Sequence, residues 1–140
     1  MKSLISLIYL SDSNEKVDEQ EVEKILKQSR QNNLDSDITG VLLLLNSQFL
    51  QVLEGDKTEV HKLYEKIKGD KRHFKILKLI EFDLIERNFG DWSMGYLNPN
   101  MDRFFIEGYK DPAIFIEVMS NKDTWTPAFE FLKKFYKKNK

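Results

Sequence analysis

Several polar side chains stand where the pattern of this chain reserves apolar ones, and their chemistry is that of bridging hydrogen bonds. Gln51 is the clearest, in the run Gln48-Phe49-Leu50-Gln51-Val52-Leu53-Glu54-Gly55. Strand alternation puts Phe49, Gln51 and Leu53 on one face and Leu50 and Val52 on the other. A primary amide carries two donors and a two-lone-pair acceptor, so it can join groups of both kinds. Left unpaired in a core it costs roughly 1–3 kcal/mol. Tyr9 shares a strand face with Ile5, Leu7 and Ser11. Ile25, Ser29 and Asn33 fall on one helical stripe at i, i+4, i+8, and Asp70 shares a face with Ile67 if the helical turn reaches it. Arg72 and His73 follow at the mouth of the next strand.

Each has a plain structural alternative. Gln51 can be a satisfied core amide, Tyr9 a core aromatic with a wet hydroxyl, and Asn33 a helix-end residue. Asp70 reads as a turn residue, Arg72 as a surface charge, and His73 as a hydrogen-bonded structural histidine. No second histidine stands at metal-ligand spacing from His73, so no metal site is expected. Glu54 and Asp56 flank Gly55 without an evident cleft, and neither GxGxxG nor a P-loop is present. No catalytic motif emerges, and the chain does not read as an enzyme.

Apolar periodicity supplies the elements that must position these groups. Leu4–Leu10 reads as a strand, and Asp18–Asn33 as a helix with Val22, Ile25, Leu26 and Ser29 on one stripe. The unbroken run in Ile38–Leu45 predicts a central strand buried on both faces. Asn46 and Ser47 turn it into the strand holding Gln51, forming a hairpin. Asp56 or Thr58 caps a second helix through Lys68, with Val60, Leu63, Tyr64 and Ile67 buried and Gly69 as a left-handed cap. Phe74–Ile85 and Trp92–Leu97 are the remaining strands. The order predicts a ferredoxin-like α+β fold, βαββαβ with one more strand, and two helices on one face of a mixed sheet. Asp111-Pro112 and Thr126-Pro127 then announce two C-terminal helices, near 112–119 and 127–138.

Composition sets the class. A chain of 140 residues, 41% hydrophobic and 32% charged, suits one globular unit. A net charge of −1 gives no reason to expect nucleic acid, and Val41–Leu45 is far too short to span a bilayer. No signal segment is visible at Met1-Lys2, so a cytoplasmic protein is the expectation. The absence of cysteine excludes disulfides, thiolate metal sites and cysteine nucleophiles.

The string Ile38–Gly55, ITGVLLLLNSQFLQVLEG, resembles the BLUF family of flavin-binding blue-light sensors. So do Tyr9 and Ser11, Ser29-Arg30-Gln31-Asn32-Asn33, Asp70-Lys71-Arg72-His73, and Trp92-Ser93-Met94-Gly95, in the family's order over about residues 1–97. The resemblance implies a flavin, FAD or FMN, held between the two helices with its ring edge toward the sheet. Ile25 and Ile67 match the aliphatic residues on opposite ring faces, and Asn33 the asparagine at the polar edge. Gln51 matches the glutamine beside the reactive ring nitrogen, and Tyr9 the tyrosine bonded to it. Ser29 lies near the ring; Asp70, Arg72 and His73 match a region at the ring edge or ribityl chain.

By the same resemblance, Tyr9 gives an electron and a proton through Gln51 in blue light, and Gln51 is left rotated or tautomerised. Lack of cysteine excludes the cysteinyl adduct of LOV sensors. Trp92 and Met94 share a strand face and match a proposed relay toward the C-terminal segment 98–140. The expected output is altered packing of that segment against the sheet, a second copy in a homo-oligomer, or an unidentified downstream protein. The rival is a cofactor-less adaptor on the same fold.

Overall fold

The computed structural model describes residues 3–13, 19–45, 47–87, 89, 94–97, 109–110, 130 and 133–134. Its elements are β1 (Leu4–Ser13), α1 (Glu19–Ser36), β2 (Thr39–Leu45), β3 (Gln48–Asp56), α2 (Lys57–Lys68), β4 (His73–Asp83), β5 (Gly95–Leu97) and β6 (Tyr109–Lys110). The sheet runs β4-β1-β3-β2-β5-β6. The first four strands pair antiparallel, and β5 joins β2 in parallel, as β6 joins β5. The βαββαβ core with its 4-1-3-2 strand order is the ferredoxin-like arrangement expected from the sequence. The expected C-terminal helices and Trp92 fall outside the described residues, apart from single helical positions at 130, 133 and 134.

Alternation divides the central strands into two buried faces. Ile5, Leu7, Tyr9, Leu42, Phe49 and Leu53 point to the helices and join Val22, Leu26 and Val60 in one core. Ile8, Val41, Leu43, Leu50 and Val52 point the other way and are at most 1% exposed. Burial of each such side chain contributes about 1.5–3 kcal/mol. The unbroken apolar run of β2 is therefore a doubly buried strand. Gly40 permits this close pairing, since a Cβ there would lie 1.9 Å from the Val52 carbonyl oxygen.

Three helix-end features differ from the sequence expectation, and one strand feature adds to it. The first helix runs to Ser36, and Asn33 lies inside its last turns rather than at its end. Asp37 closes it in the left-handed region, φ 55°, while the Ile38 amide donates back to the Asn33 carbonyl at 2.8 Å. Gly69, expected as a left-handed cap, is right-handed at φ −88°. The second helix ends instead by tightening: Gly69 and Asp70 amides donate three residues back, to Lys66 and Ile67. Asp56 makes no side-chain cap, and the Lys57 amide is satisfied by the Ser3 carbonyl at 2.8 Å. Finally, β4 pairs with β1 through two register shifts, between Ile8 and Tyr9 and between Leu10 and Asp12. Each shift gives β4 one extra residue, the mark of a bulge. Lys75, φ 52°, sits in the second of them.

Candidate functional site

Strand register brings the first pair of polar residues together. Tyr9 lies directly opposite Gln51, Gln51 opposite Leu42, and Leu42 opposite Tyr96. Directly paired residues share a face, so a row crosses four strands beneath the helices. The Tyr9 hydroxyl donates to Gln51 Oε1. Gln51 Nε2 donates to the Met94 sulfur at 3.3 Å. All three residues are at most 5% exposed. One buried amide thus joins a phenol on β1 to a thioether at the foot of β5. Burial, then the carboxylate of Asp70, then Tyr64, push the Tyr9 phenol well above its ordinary value of 10.0. It stays protonated and donating. The Tyr64 ring lies against it, centroids 5.6 Å apart.

The two helices roof a cavity of about 160 Å³ over this row. A single water needs only ~10–15 Å³ of such space, so the room is for a ligand of many atoms. Ile25 of α1 and Ile67 of α2 wall it, with Leu63 beside Ile67. Ser29, Asn32 and Asn33 line it from α1, and Tyr9, Gln51, Leu42 and Phe49 from the sheet. Asn33 is only 1% exposed. The helical stripe explains why: Ile25, Ser29 and Asn33 recur every four residues, one above another.

The third corner is the turn from α2 into β4. Asp70 accepts from the Arg72 amide and from Arg72 Nε, both at 2.9 Å, and from Nη2. The bond from Arg72 holds the Asp70 carboxyl below the usual carboxylate range. Arg72 Nη2 also donates to Gln28 Oε1 at 3.2 Å, tying the turn to α1. His73 Nε2 lies 2.7 Å from the Ile67 carbonyl, which can only accept, so Nε2 carries the hydrogen. In the neutral ring Nδ1 then accepts from Ser11 Oγ at 2.8 Å. All three residues line the cavity.

The structure therefore gathers Tyr9, Ile25, Ser29, Asn33, Gln51, Ile67, Asp70, Arg72 and His73 around one cavity, with Met94 joined to Gln51. The sequence reading assigned no part to Arg30, whose Nε and Nη2 both donate to the Met94 carbonyl, at 3.2 and 3.1 Å. Glu54, considered there only as a partner of Asp56 in an acid–base pair, has a structural part instead. That carboxylate is fully buried and accepts from Thr39 Oγ1 at 3.1 Å and the Phe89 amide at 2.9 Å. Beside it Arg87 donates to Thr39 Oγ1, the Glu54 carbonyl and the Asp37 carbonyl. These bonds pin the segment leading from β4 toward β5. Among the described residues no cluster of three or more His, Asp or Glu is placed to hold a metal, and no helix is long and apolar enough to cross a membrane.

The cavity fits an isoalloxazine ring. Such a ring is a flat apolar plate with a rim of alternating acceptors and donors. Two aliphatic side chains on facing helices suit the plate, and the amides of Asn33 and Gln51, which donate and accept, suit the rim.

Comparison with known proteins agrees. Residues 4–95 match the family described as BLUF, sensors of blue-light using FAD. The blue light- and temperature-regulated antirepressor BluF of Escherichia coli is 34% identical over 91 residues, 65% of this chain and 23% of the antirepressor. The chain thus spans less than a quarter of that relative's length. The photo-activated state of BlsA superposes with a TM-score of 0.67 at 30% identity, over 95% of this chain and 91% of BlsA. The dark-state structure of BlrB, a BLUF protein, gives 0.67 at 32% identity, over 77% and 88%. The chain belongs to the BLUF family of flavin-binding blue-light sensors.

Proposed function

We propose that residues 1–97 form the light-sensing unit, that FAD lies between α1 and α2, and that Gln51 is the element that changes state. The observation that carries this reading is the chain of bonds from Tyr9 to Gln51 to Met94 along the cavity floor. When bound, the flavin supplies a strong one-electron oxidant on absorbing blue light. Loss of an electron from the Tyr9 phenol makes its proton acidic, and Gln51 Oε1 already receives that hydroxyl. Return of the electron and proton restores the phenol, and the amide can settle in another orientation. Rotation of the amide swaps Oε1 and Nε2. Two acceptors, Oε1 and the Met94 sulfur, would then face each other, so the contact to β5 breaks. Ile25 and Ile67 clasp the ring, Asn33 and Ser29 hold its edge, and Asp70, Arg72 and His73 close the ribityl side. FAD rather than FMN is favoured by the family description.

The output passes through Met94, with Trp92, to segment 98–140 and from there to a second copy or a separate cytoplasmic protein. This sensing cycle turns over no substrate. The test is an absorption spectrum before and after blue light. A yellow protein with a small red shift that reverses in darkness is expected, and Tyr9→Phe should keep the flavin and lose the shift. A protein colourless even after incubation with FAD and FMN would return the chain to the cofactor-less adaptor. Mass analysis of the released cofactor separates FAD from FMN.

A further inference from the structure

Met94 is held at two points by two different elements. Its sulfur accepts from Gln51 of β3, and its main-chain carbonyl accepts both Nε and Nη2 of Arg30 on α1. The two holds differ in strength. A thioether is a weak acceptor, whereas a guanidinium is permanently charged and its hydrogen bonds are correspondingly stronger. Arg30 also neighbours Ser29, which lines the cavity, so one turn of α1 touches both the cavity and the foot of β5. β5 begins immediately after Met94 and pairs with β2 from Gly95.

We propose that Arg30 is a positioning residue for the light signal, its guanidinium fork holding the Met94 carbonyl so that β5 keeps the register at which Gln51 reaches the sulfur. The proposal rests on the reading of Gln51 given above. It adds that the weak contact is the one that switches and the strong one is the pivot. Breaking the sulfur contact alone leaves the main chain held, so the side chain reorganises first. A slide of the strand by two residues moves a carbonyl by about 6.6 Å, and any such slide must break the fork.

Hydrogen exchange on the protein as purified, kept in darkness, tests this. In Arg30→Gln the amides of Gly95, Tyr96 and Leu97 should exchange about tenfold to a hundredfold faster, as expected for loss of a charged hydrogen bond. Amides of Val22–Leu26 should be unchanged. Arg30→Lys, which keeps the charge but not the fork, should fall between, and recovery after blue light should quicken in the same order. Unchanged exchange at residues 95–97, or an increase spread evenly over α1 and the sheet, overturns the proposal. If Arg30→Gln does not fold, Arg30→Lys is read alone, and native exchange there overturns it. A native protein without a red shift would remove the switch reading while the exchange result still judges the fork. A normal red shift with unchanged exchange removes the fork alone.

Discussion

The two faces of the central strands are made from alternate residues of the same segments and serve different ends. Away from the helices lie Ile8, Val41, Leu43, Leu50 and Val52, aliphatic and almost wholly buried. Toward the helices lie Tyr9, Gln51, Leu42 and Phe49, around a cavity with a phenol–amide–sulfur chain. Polar side chains and open space in a core cost stability. The aliphatic face offsets that cost within the same strands, so the chemistry on one side is underwritten by packing on the other. Since side chains alternate with period two, a slip of one residue would exchange the faces outright.

That contrast can be broken from either side. The largest effect should come from the aliphatic face. Leu43→Ala and Leu50→Ala should each cost about 2–5 kcal/mol in urea unfolding, through lost burial and a residual cavity. The light-minus-dark spectrum of the folded fraction should keep its shape; a changed shape would mean the faces are not separable. On the cavity face, Tyr9 should show itself in alkali. Its folded value is raised above 10.0, so its contribution is complete below pH 10 and is lost as pH rises toward the folded value. Native stability should fall by up to about 1.4 kcal/mol per pH unit above 10, and Tyr9→Phe should flatten that fall. Equal slopes in the two proteins would refute the assignment. The smallest effect concerns Ser6, on the aliphatic face, whose buried hydroxyl has no hydrogen-bond partner among the described residues. Ser6→Ala should raise stability by up to about 1 kcal/mol, measured as a higher urea midpoint at constant slope.

What was legible in the sequence follows from the two periodicities. The 3.6-residue repeat placed Ile25, Ser29 and Asn33 on one stripe, and the two-residue repeat placed Tyr9 and Gln51 on inward faces. The cavity forms where those stripes meet. Arg30 escaped because its target is a main-chain carbonyl, which has no sequence signature. The bonds of Glu54 and Arg87 escaped because their partners come from the far ends of strands and from the coil before β5. The bulges in β4 escaped because neither glycine nor proline marks them; Lys75 takes the left-handed turn. Gly69 misled because the helix had a second way to satisfy its last carbonyls.

Those two bulges behave like a pair of frameshifts in a gene. Each inserts one residue into β4 relative to β1, and each reverses whether odd or even positions of β4 face the cavity. Together they cancel, which is why His73 pairs with Ser13 and comes to the cavity side while Phe74 pairs with Asp12 and does not. Deleting Leu79 takes out only the first inserted residue, so Ile80 would follow Lys78 directly, with Lys78 still opposite Tyr9, and His73 should stay opposite Ser13. Deleting Lys75 as well should leave a regular strand with the same end pairs. In this edge strand, single-residue gaps at the two bulges are expected to leave His73 at the cavity.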